Sequence, residues 1–291
     1  MKFSAEEKKT YKALLLQTLK AFDQFCKNFE IHYCAAGGTM IGAVRHHGFI
    51  PWDDDVDVYM KRADFNKFIS LRSKLEGTDY EIIDPNINGY YCAHTKFSHR
   101  KSTIWEFQSI PFLFGAFVDV FVLDYENVPY DEVLKKRMNF AKKVELFYVC
   151  SGNHPFSVIR YCFLQGNFKK ALWYSFQHLF LRKYRSVLSK QIIRQPKDTQ
   201  GEWIVAYTGT SGKKDIFRAE WFEKVISFPF EDTTIDVPCG YDEFLKAMYG
   251  DYMSFPPLEE RKSHLFFFFH LKRRISQDEM EQLRIEATNI H

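Results

Sequence analysis

The sequence predicts an α/β (α+β) protein, because patterns typical of helices and of strands follow one another along its 291 residues. Residues 4–30 place apolar side chains at helical spacing, and residues 55–60 alternate acidic and apolar side chains as a strand does. Hydrophobic residues make up 46% of the chain and aromatic residues 18%, a composition typical of a packed globule.

Helices are predicted where apolar side chains recur every three or four residues. The first helix begins with a capping box, in which Ser4 and Glu7 satisfy each other's backbone N–H groups. Helices are expected at residues 4–30, 39–47, 62–75, 130–150, 155–164, 168–195 and 241–249.

Strands are predicted from short apolar or alternating runs, at residues 31–36, 55–60, 80–83, 91–97, 104–107, 115–124, 203–207 and 228–238. The run at 115–124 is strongly apolar except at Asp119, where a lone carboxylate would be costly to bury. Asp119 therefore faces either solvent at a sheet edge or a cation. The apolar residues on both sides of it favour the cation.

Composition excludes several classes of function. The net charge of +3 is too small to indicate a nucleic-acid partner, and no apolar run reaches the length of a membrane span. The N-terminus shows no signal peptide, and six scattered cysteines without a C-x-x-C pair indicate free thiols. We therefore expect a cytoplasmic protein, with the inner face of the membrane as the alternative position.

An acidic cluster dominates the stretch GGTMIGAVRHHGFIPWDDDVDVYM at residues 37–60, where Asp53, Asp54, Asp55 and Asp57 fall within five positions. Such crowding destabilises a fold unless a cation or basic side chains compensate it. The period of a strand puts Asp55 and Asp57 on one face, about 7 Å apart, with the intervening valines in the core. Two carboxylates placed in this way can bind a hard cation.

Together with a third carboxylate, this arrangement suits phosphoryl or nucleotidyl transfer. Carboxylates would hold one or two Mg²⁺ ions, and the Gly37–Gly38 pair at a helix start would let the backbone approach phosphate oxygens. Arg45 and Lys96 are candidates to clamp a non-bridging phosphate oxygen.

The motif at 37–60 closely resembles the signature of LicD-type phosphocholine transferases, which are related to fukutin and fukutin-related protein. Residues 115–124 (GAFVDVFVLD) resemble the second acidic strand of that family, although Val122 stands where many relatives have proline. The segment YGDYM at 249–253, before Pro256 and Pro257, resembles its C-terminal signature. The resemblance covers about residues 30–260.

This resemblance implies a nucleotidyltransferase-type fold, in which helices flank a mixed sheet. It also implies that Gly37, Gly38 and Thr39 line the phosphate turn, and that Asp55, Asp57 and Asp119 hold Mg²⁺, with Mn²⁺ as the alternative. Asp119 is the candidate to accept the proton of the acceptor hydroxyl, and Asp53 is the alternative.

The implied reaction transfers a phospho-alcohol from a CDP- or CMP-activated donor to a sugar hydroxyl. The acceptor would be a cell-surface glycan precursor, such as a lipopolysaccharide, capsular or lipid-linked oligosaccharide precursor. The transferred group stays open among phosphocholine, phosphoethanolamine, glycerol- or ribitol-phosphate and 2-aminoethylphosphonate.

On this basis we divide the chain into three parts. Residues 1–129 form a nucleotidyltransferase-like catalytic core, residues 130–200 an aromatic-rich helical insertion, and residues 201–291 a part that completes the catalytic domain. Within the insertion, aromatic residues lie next to basic ones such as Arg160, Lys169 and Arg182. They indicate either peripheral membrane contact or ordinary helical packing with extended cations.

Alternatives from other classes remain. A metal-dependent nucleotide-sugar glycosyltransferase also uses paired aspartates, and a non-catalytic scaffold for polysaccharide assembly would need no reaction. An EF-hand is excluded because Val58 stands where its loop requires glycine. Cys92, His94 and His99 are a weaker candidate for zinc.

Overall fold

The computed structural model describes residues 3–152, 156–193, 199–261 and 263–289 of the chain. The helices in this part are α1 (Ala5–Asn28), α2 (Gly37–Ile41), α3 (Arg62–Ser70), α4 (Tyr130–Ser151), α5 (Phe156–Leu164), α6 (Phe168–Phe176), α7 (Arg182–Ile192), α8 (Tyr241–Tyr249) and α9 (Gln277–Asn289). The strands are β1 (Cys34–Ala35), β2 (Asp57–Lys61), β3 (Tyr80–Ile83), β4 (Thr95–His99), β5 (Thr103–Trp105), β6 (Phe117–Glu126), β7 (Trp203–Ala206), β8 (Ile216–Arg218), β9 (Val225–Phe230), β10 (Thr233–Pro238) and β11 (Phe268–His270).

A seven-stranded mixed sheet forms the centre of the molecule, with strand order β1-β2-β6-β4-β3. The parallel pairing of β2 with β6 sets Asp57 beside Asp119, and the antiparallel pairing of β4 with β6 sets Lys96 on the other side of Asp119. β7 pairs with the second half of β6, where β4 no longer reaches, and β8 continues from β7. The mixed α/β fold class predicted from the sequence is confirmed.

Helix α1 covers one face of this sheet through its apolar stripe. Its Ser4 and Glu7 form the predicted capping box, and Leu15, Leu19 and Phe22 are almost fully buried. The Phe22 ring packs edge-on against Phe97 of β4, with ring centroids 5.5 Å apart. Helix α1 therefore packs against β4, the strand that carries Lys96.

Several predicted boundaries are wrong. The helix expected at 39–47 starts at Gly37 and continues as a π-helical turn over Gly42–His46, which ends where His47 adopts φ 55°. The acidic strand begins at Asp57, so Asp55 lies just before it, although the alternation of buried valines with partly exposed aspartates extends back to Asp55.

The predicted strand at 228–238 is two strands, because β9 and β10 form a hairpin that turns at Glu231, a residue with φ 54°. The turn has no glycine, so the sequence pattern does not mark it. β8, β11 and α9 were not predicted. β8 and β11 are only three residues long, too short to show a period.

The aromatic-rich segment is helical, as predicted. The predicted helix at 168–195 is divided by a π-helical turn at Gln177–Leu181, and α7 ends at Ile192. The expected start of one helix at residue 155, and the end of the other at 194–195, lie outside the described residues. Within the described part of the chain, no helix combines the length and the apolar character that crossing a bilayer requires.

A buried ion pair joins α4 to the segment that follows β7. Arg137 is 1% exposed, and its Nη2 donates to Asp215 Oδ2 and to the Gly209 carbonyl oxygen, both at 2.7 Å. Burial raises the pKa of Asp215 even with the guanidinium beside it. Each of the two buried charges is therefore stabilised by the other, and removing one leaves the other uncompensated.

Replacing Arg137 with methionine should lower the free energy of unfolding by about 3–5 kcal/mol, because it leaves the Asp215 carboxylate buried without its counter-charge. Urea unfolding followed by circular dichroism measures this loss. Lys135→Met, at an exposed position of the same helix, is the control and should change stability by less than about 0.5 kcal/mol. Equal stability of the two variants would contradict the role assigned to the pair.

Candidate active site

The two glycines at the start of α2 bring the backbone against the acidic segment. Gly37 has φ 47°, and a Cβ there would lie 3.3 Å from Asp57 Oδ2. A Cβ on Gly38 would lie 2.7 Å from Asp53 Oδ2, closer than side chains allow. Thr39 Oγ1 accepts a hydrogen bond of 2.9 Å from the Asp57 N–H. The glycine turn and the aspartates therefore form one unit.

Asp53, Asp54 and Asp55 converge. Each offers a carboxylate oxygen within 4.8 Å of the other two, which is close enough to share a metal ion. Asp54 is 1% exposed and is bound by His264, whose N–H donates to Oδ2 at 2.9 Å and whose Nδ1 lies 2.7 Å from Oδ1. This hydrogen bond raises the pKa of His264 to about 8, so the imidazole is mostly charged at neutral pH.

Asp55 and Asp57 carry uncompensated negative charge. Burial and the charge of Asp119 raise the pKa of Asp57 to about 7. Burial and the neighbouring Asp57 and Asp53 raise the pKa of Asp55 well above its usual range. Carboxylates that are held together in this way and removed from water favour a proton or a cation.

Asp119, in contrast, already has cationic partners. Lys96 Nζ lies 2.8 and 3.0 Å from its two oxygens, and His94 Nε2 lies 3.3 Å from Oδ2 without the alignment of a hydrogen bond. Burial alone would raise the pKa of Asp119, but His94 and Lys96 lower it to about 2. Burial would likewise lower the pKa of His94, but Asp119 raises it to about 10. Asp119 is therefore a firmly ionised carboxylate.

Lys96 is itself held rigidly. It is 2% exposed, and its Nζ lies 3.5 Å from the centroid of the Phe117 ring and 4.9 Å from that of Phe114. Its ammonium therefore points at Asp119 from an aromatic pocket, and the rings leave it little freedom to turn towards another partner.

The structure brings most of the predicted site residues together: Gly37, Gly38, Thr39, Asp55, Asp57, Lys96 and Asp119. Arg45 has other partners, because its guanidinium donates to the carbonyl oxygens of Tyr252 and Ser254 and lies 4.9 Å from the centroid of the Phe255 ring. In the described residues Arg45 thus ties the segment at 252–255 to the glycine turn.

Three side chains near the site either were not predicted from the sequence or were predicted to have other roles. His264 lies 210 positions beyond Asp54, and no local pattern could connect them. Tyr249 was noted only within a motif, yet its hydroxyl oxygen lies 3.5 Å from the position of a Gly37 Cβ. His94 was considered for zinc. It faces Asp119 instead, while His99 Nδ1 lies 3.1 Å from Ser102 Oγ.

The fold and site define a mixed α/β protein whose acidic centre lies where its two parallel strands begin. Residues 30–144 match the family model described as LicD/FKTN/FKRP, nucleotidyltransferase domain. Residues 30–144 therefore match a LicD-family domain, and the resemblance drawn from the sequence motif is confirmed.

The chain is also similar to individual proteins of known sequence. The chain is 29% identical over 256 residues to the lipopolysaccharide cholinephosphotransferase LicD of Haemophilus influenzae, a match that covers 86% of this chain and 92% of that protein. It is also 29% identical over 118 residues to the uncharacterized protein RP689 of Rickettsia prowazekii, which covers 40% of this chain and 44% of that protein.

The raised pKa of Asp57 predicts a pH dependence for the metal-free protein. A carboxyl whose folded pKa is about 7 binds a proton more tightly when folded than when unfolded. Stability should therefore fall as pH rises from about 5 to about 6.5, by up to about 1.4 kcal/mol per pH unit for this group. His94 and His264, whose pKa values are raised above 6.5, lose their contribution only above this window.

Urea unfolding in the presence of EDTA at about pH 5 and about pH 6.5 measures the slope. Asp57→Asn should reduce it to the part contributed by Asp53 and Asp55, whose pKa values are also raised, whereas Asp131→Asn, at an exposed position of α4, should leave it unchanged. A slope that is identical in all three proteins would show that Asp57 titrates normally.

Proposed function

We propose that this protein transfers a phospho-alcohol, in the first place phosphocholine, from a CDP-activated donor to a sugar hydroxyl of a cell-surface glycan precursor. The observation that carries the proposal is the acidic centre at the parallel β2–β6 pair, within a domain that matches the LicD family. The relative over most of the chain is named a lipopolysaccharide cholinephosphotransferase. CDP-ethanolamine, CDP-glycerol, CDP-ribitol and CMP-aminoethylphosphonate are the other candidate donors.

The carboxylates fit a hard divalent cation such as Mg²⁺ or Mn²⁺, since their crowding and raised pKa values leave negative charge to be neutralised. Asp55 and Asp57 would hold it, and Asp119 would add the oxygen lone pairs that Lys96 leaves free. A bound cation would neutralise charge on the donor diphosphate.

The reaction needs one bond exchange and one proton acceptor. The acceptor hydroxyl oxygen bonds to the phosphorus that carries the alcohol, the bond from this phosphorus to the bridging oxygen breaks, and CMP leaves. The hydroxyl proton passes to a carboxylate.

Basicity favours Asp53 over Asp119 as that carboxylate. A pKa of about 2 makes Asp119 a weak base, whereas burial raises the pKa of Asp53. General bases work best when their pKa approaches the working pH. We therefore assign proton acceptance to Asp53, and to Asp119 the task of fixing Lys96 and His94 beside the reacting phosphate.

The donor class can be tested directly. Calorimetry in the presence of Mg²⁺ should show that one cytidine donor binds, and Asp57→Asn should weaken this binding at least about tenfold, as losses around a metal site do. UDP-glucose and GDP-mannose serve as competitors, and Asp131→Asn serves as the control variant. Release of CMP with an acceptor glycan then reports transfer.

Two results would redirect the assignment. Preference for a UDP- or GDP-sugar would make the protein a glycosyltransferase. A folded protein that binds no activated donor would instead support a non-catalytic scaffold.

Asp53→Asn separates binding from proton transfer. If Asp53 is the base, kcat should fall by about 10²–10⁴-fold while donor affinity stays within about threefold, at saturating Mg²⁺. The measurement is CMP release under steady-state conditions, paired with donor titration. A variant that keeps its kcat would return the role of the base to Asp119.

A further inference from the structure

Helices α5, α6 and α7, with the π-helical turn before α7, carry an exposed apolar surface. Among the described residues, 23 large hydrophobic side chains are exposed, and 11 of these lie at positions 156–187. Leu172 is 72% exposed, Phe163 60% and Trp173 48%. An apolar cavity of about 390 Å³ lies between α5 and α6. Helices that face water normally present polar side chains, so this surface is expected to contact an apolar neighbour.

The same segment is uniformly cationic. Residues 146–197 contain nine lysines and arginines and no aspartate or glutamate, although the whole chain has 37 acidic residues. An apolar surface whose own exposed charged residues, among them Arg160, Lys169 and Lys170, are all basic is complementary to an apolar layer beneath a negatively charged surface.

The basic residues also occupy unfavourable helix positions. The first turns of α5 and α6 contain no acidic residue, whereas those of α1, α3, α4, α8 and α9 contain one or two; the five-residue α2 also has none. Lys169 and Lys170 lie in the first turn of α6, where the helix dipole disfavours positive charge. These lysines weaken their own helix, which indicates a partner outside it.

The surface is fixed to the part of the chain that carries the site. α7 packs against α4, and buried Arg185 donates to the carbonyl oxygens of Ile87 and Tyr90. The segment that contains these carbonyls leads directly into β4, which carries Lys96. A neighbour bound to the helices would therefore lie at a fixed distance from the acidic centre.

Neither packing within the chain nor pairing of two copies accounts well for this surface. Packing within the chain is excluded for these side chains by their exposure. Pairing of two copies through this surface would bring the exposed Arg160, Lys169 and Lys170 of one copy towards those of the other, and α5 and α6 have no acidic residue to compensate them.

We propose that α5, α6 and the turn before α7 form a docking surface for a bilayer that contains anionic phospholipids. The aromatic and aliphatic side chains enter the interface, while Arg160, Lys169 and Lys170 bind lipid phosphates. This surface stands independently of the transfer reaction proposed above.

Cosedimentation of the full-length protein with vesicles tests the proposal. Wild type should bind vesicles of phosphatidylcholine with phosphatidylglycerol, bind pure phosphatidylcholine weakly, and lose binding as salt increases. Lys169→Glu with Lys170→Glu should weaken binding at least about tenfold. Lys8→Glu with Lys9→Glu changes the net charge equally on α1, and should leave binding unchanged.

A second variant tests the apolar part. Leu172→Ser with Trp173→Ser changes exposed positions, so circular dichroism should show an intact fold while vesicle binding falls. The proposal is overturned if wild type ignores anionic vesicles, or if both lysine pairs weaken binding equally. It is also overturned if ultracentrifugation without lipid shows a dimer that the serine pair dissociates, because a second copy would then cover the surface.

Discussion

The parallel pairing of β2 with β6 is the constraint on which the rest of the site depends. It places Asp57, the first residue of β2, beside Asp119, the third residue of β6. Two carboxylates in that position repel each other and lose contact with water, which destabilises the fold. The surrounding structure compensates the negative charge of some carboxylates in the site and leaves that of the others uncompensated.

Basic side chains compensate two of the carboxylates. Asp119 receives Lys96 from the neighbouring strand and His94 from the segment before it, and Asp54 receives His264 from the far end of the chain. These pairs turn two of the five carboxylates into fixed parts of the framework. Asp53 and Asp57 have no salt-bridge partner among the described residues, and Asp55 has only the distant His264, at 3.9 Å. Asp55 and Asp57 are therefore the carboxylates with negative charge left for the cation proposed above, and Asp53 is the one left for the proton of the acceptor.

Local patterns in the sequence were enough to predict the elements around this site. Contacts between distant parts of the chain could not be predicted from them. The capping box at Ser4, the alternating segment before Tyr59 and the apolar run around Asp119 all carry their structure in adjacent residues. His264 could not be found in this way, because its contact with Asp54 depends on how the C-terminal segment folds back. The apolar run around Asp119 predicted the third carboxylate, but its partner Lys96 was assigned to phosphate because strand register is invisible in a single sequence.

The net charge of +3 conceals an uneven distribution that the composition alone did not reveal. Residues 146–197 hold nine of the 40 lysines and arginines and none of the 37 acidic residues, so the rest of the chain has 31 basic and 37 acidic residues, a net charge of −6. An acidic body and a cationic helical surface have opposite preferences near an anionic bilayer. The body would be repelled while the helices are attracted, which would turn the molecule so that the helices face the lipid. The net charge of the whole chain therefore says little about orientation at a membrane, since electrostatic steering depends on where charge lies.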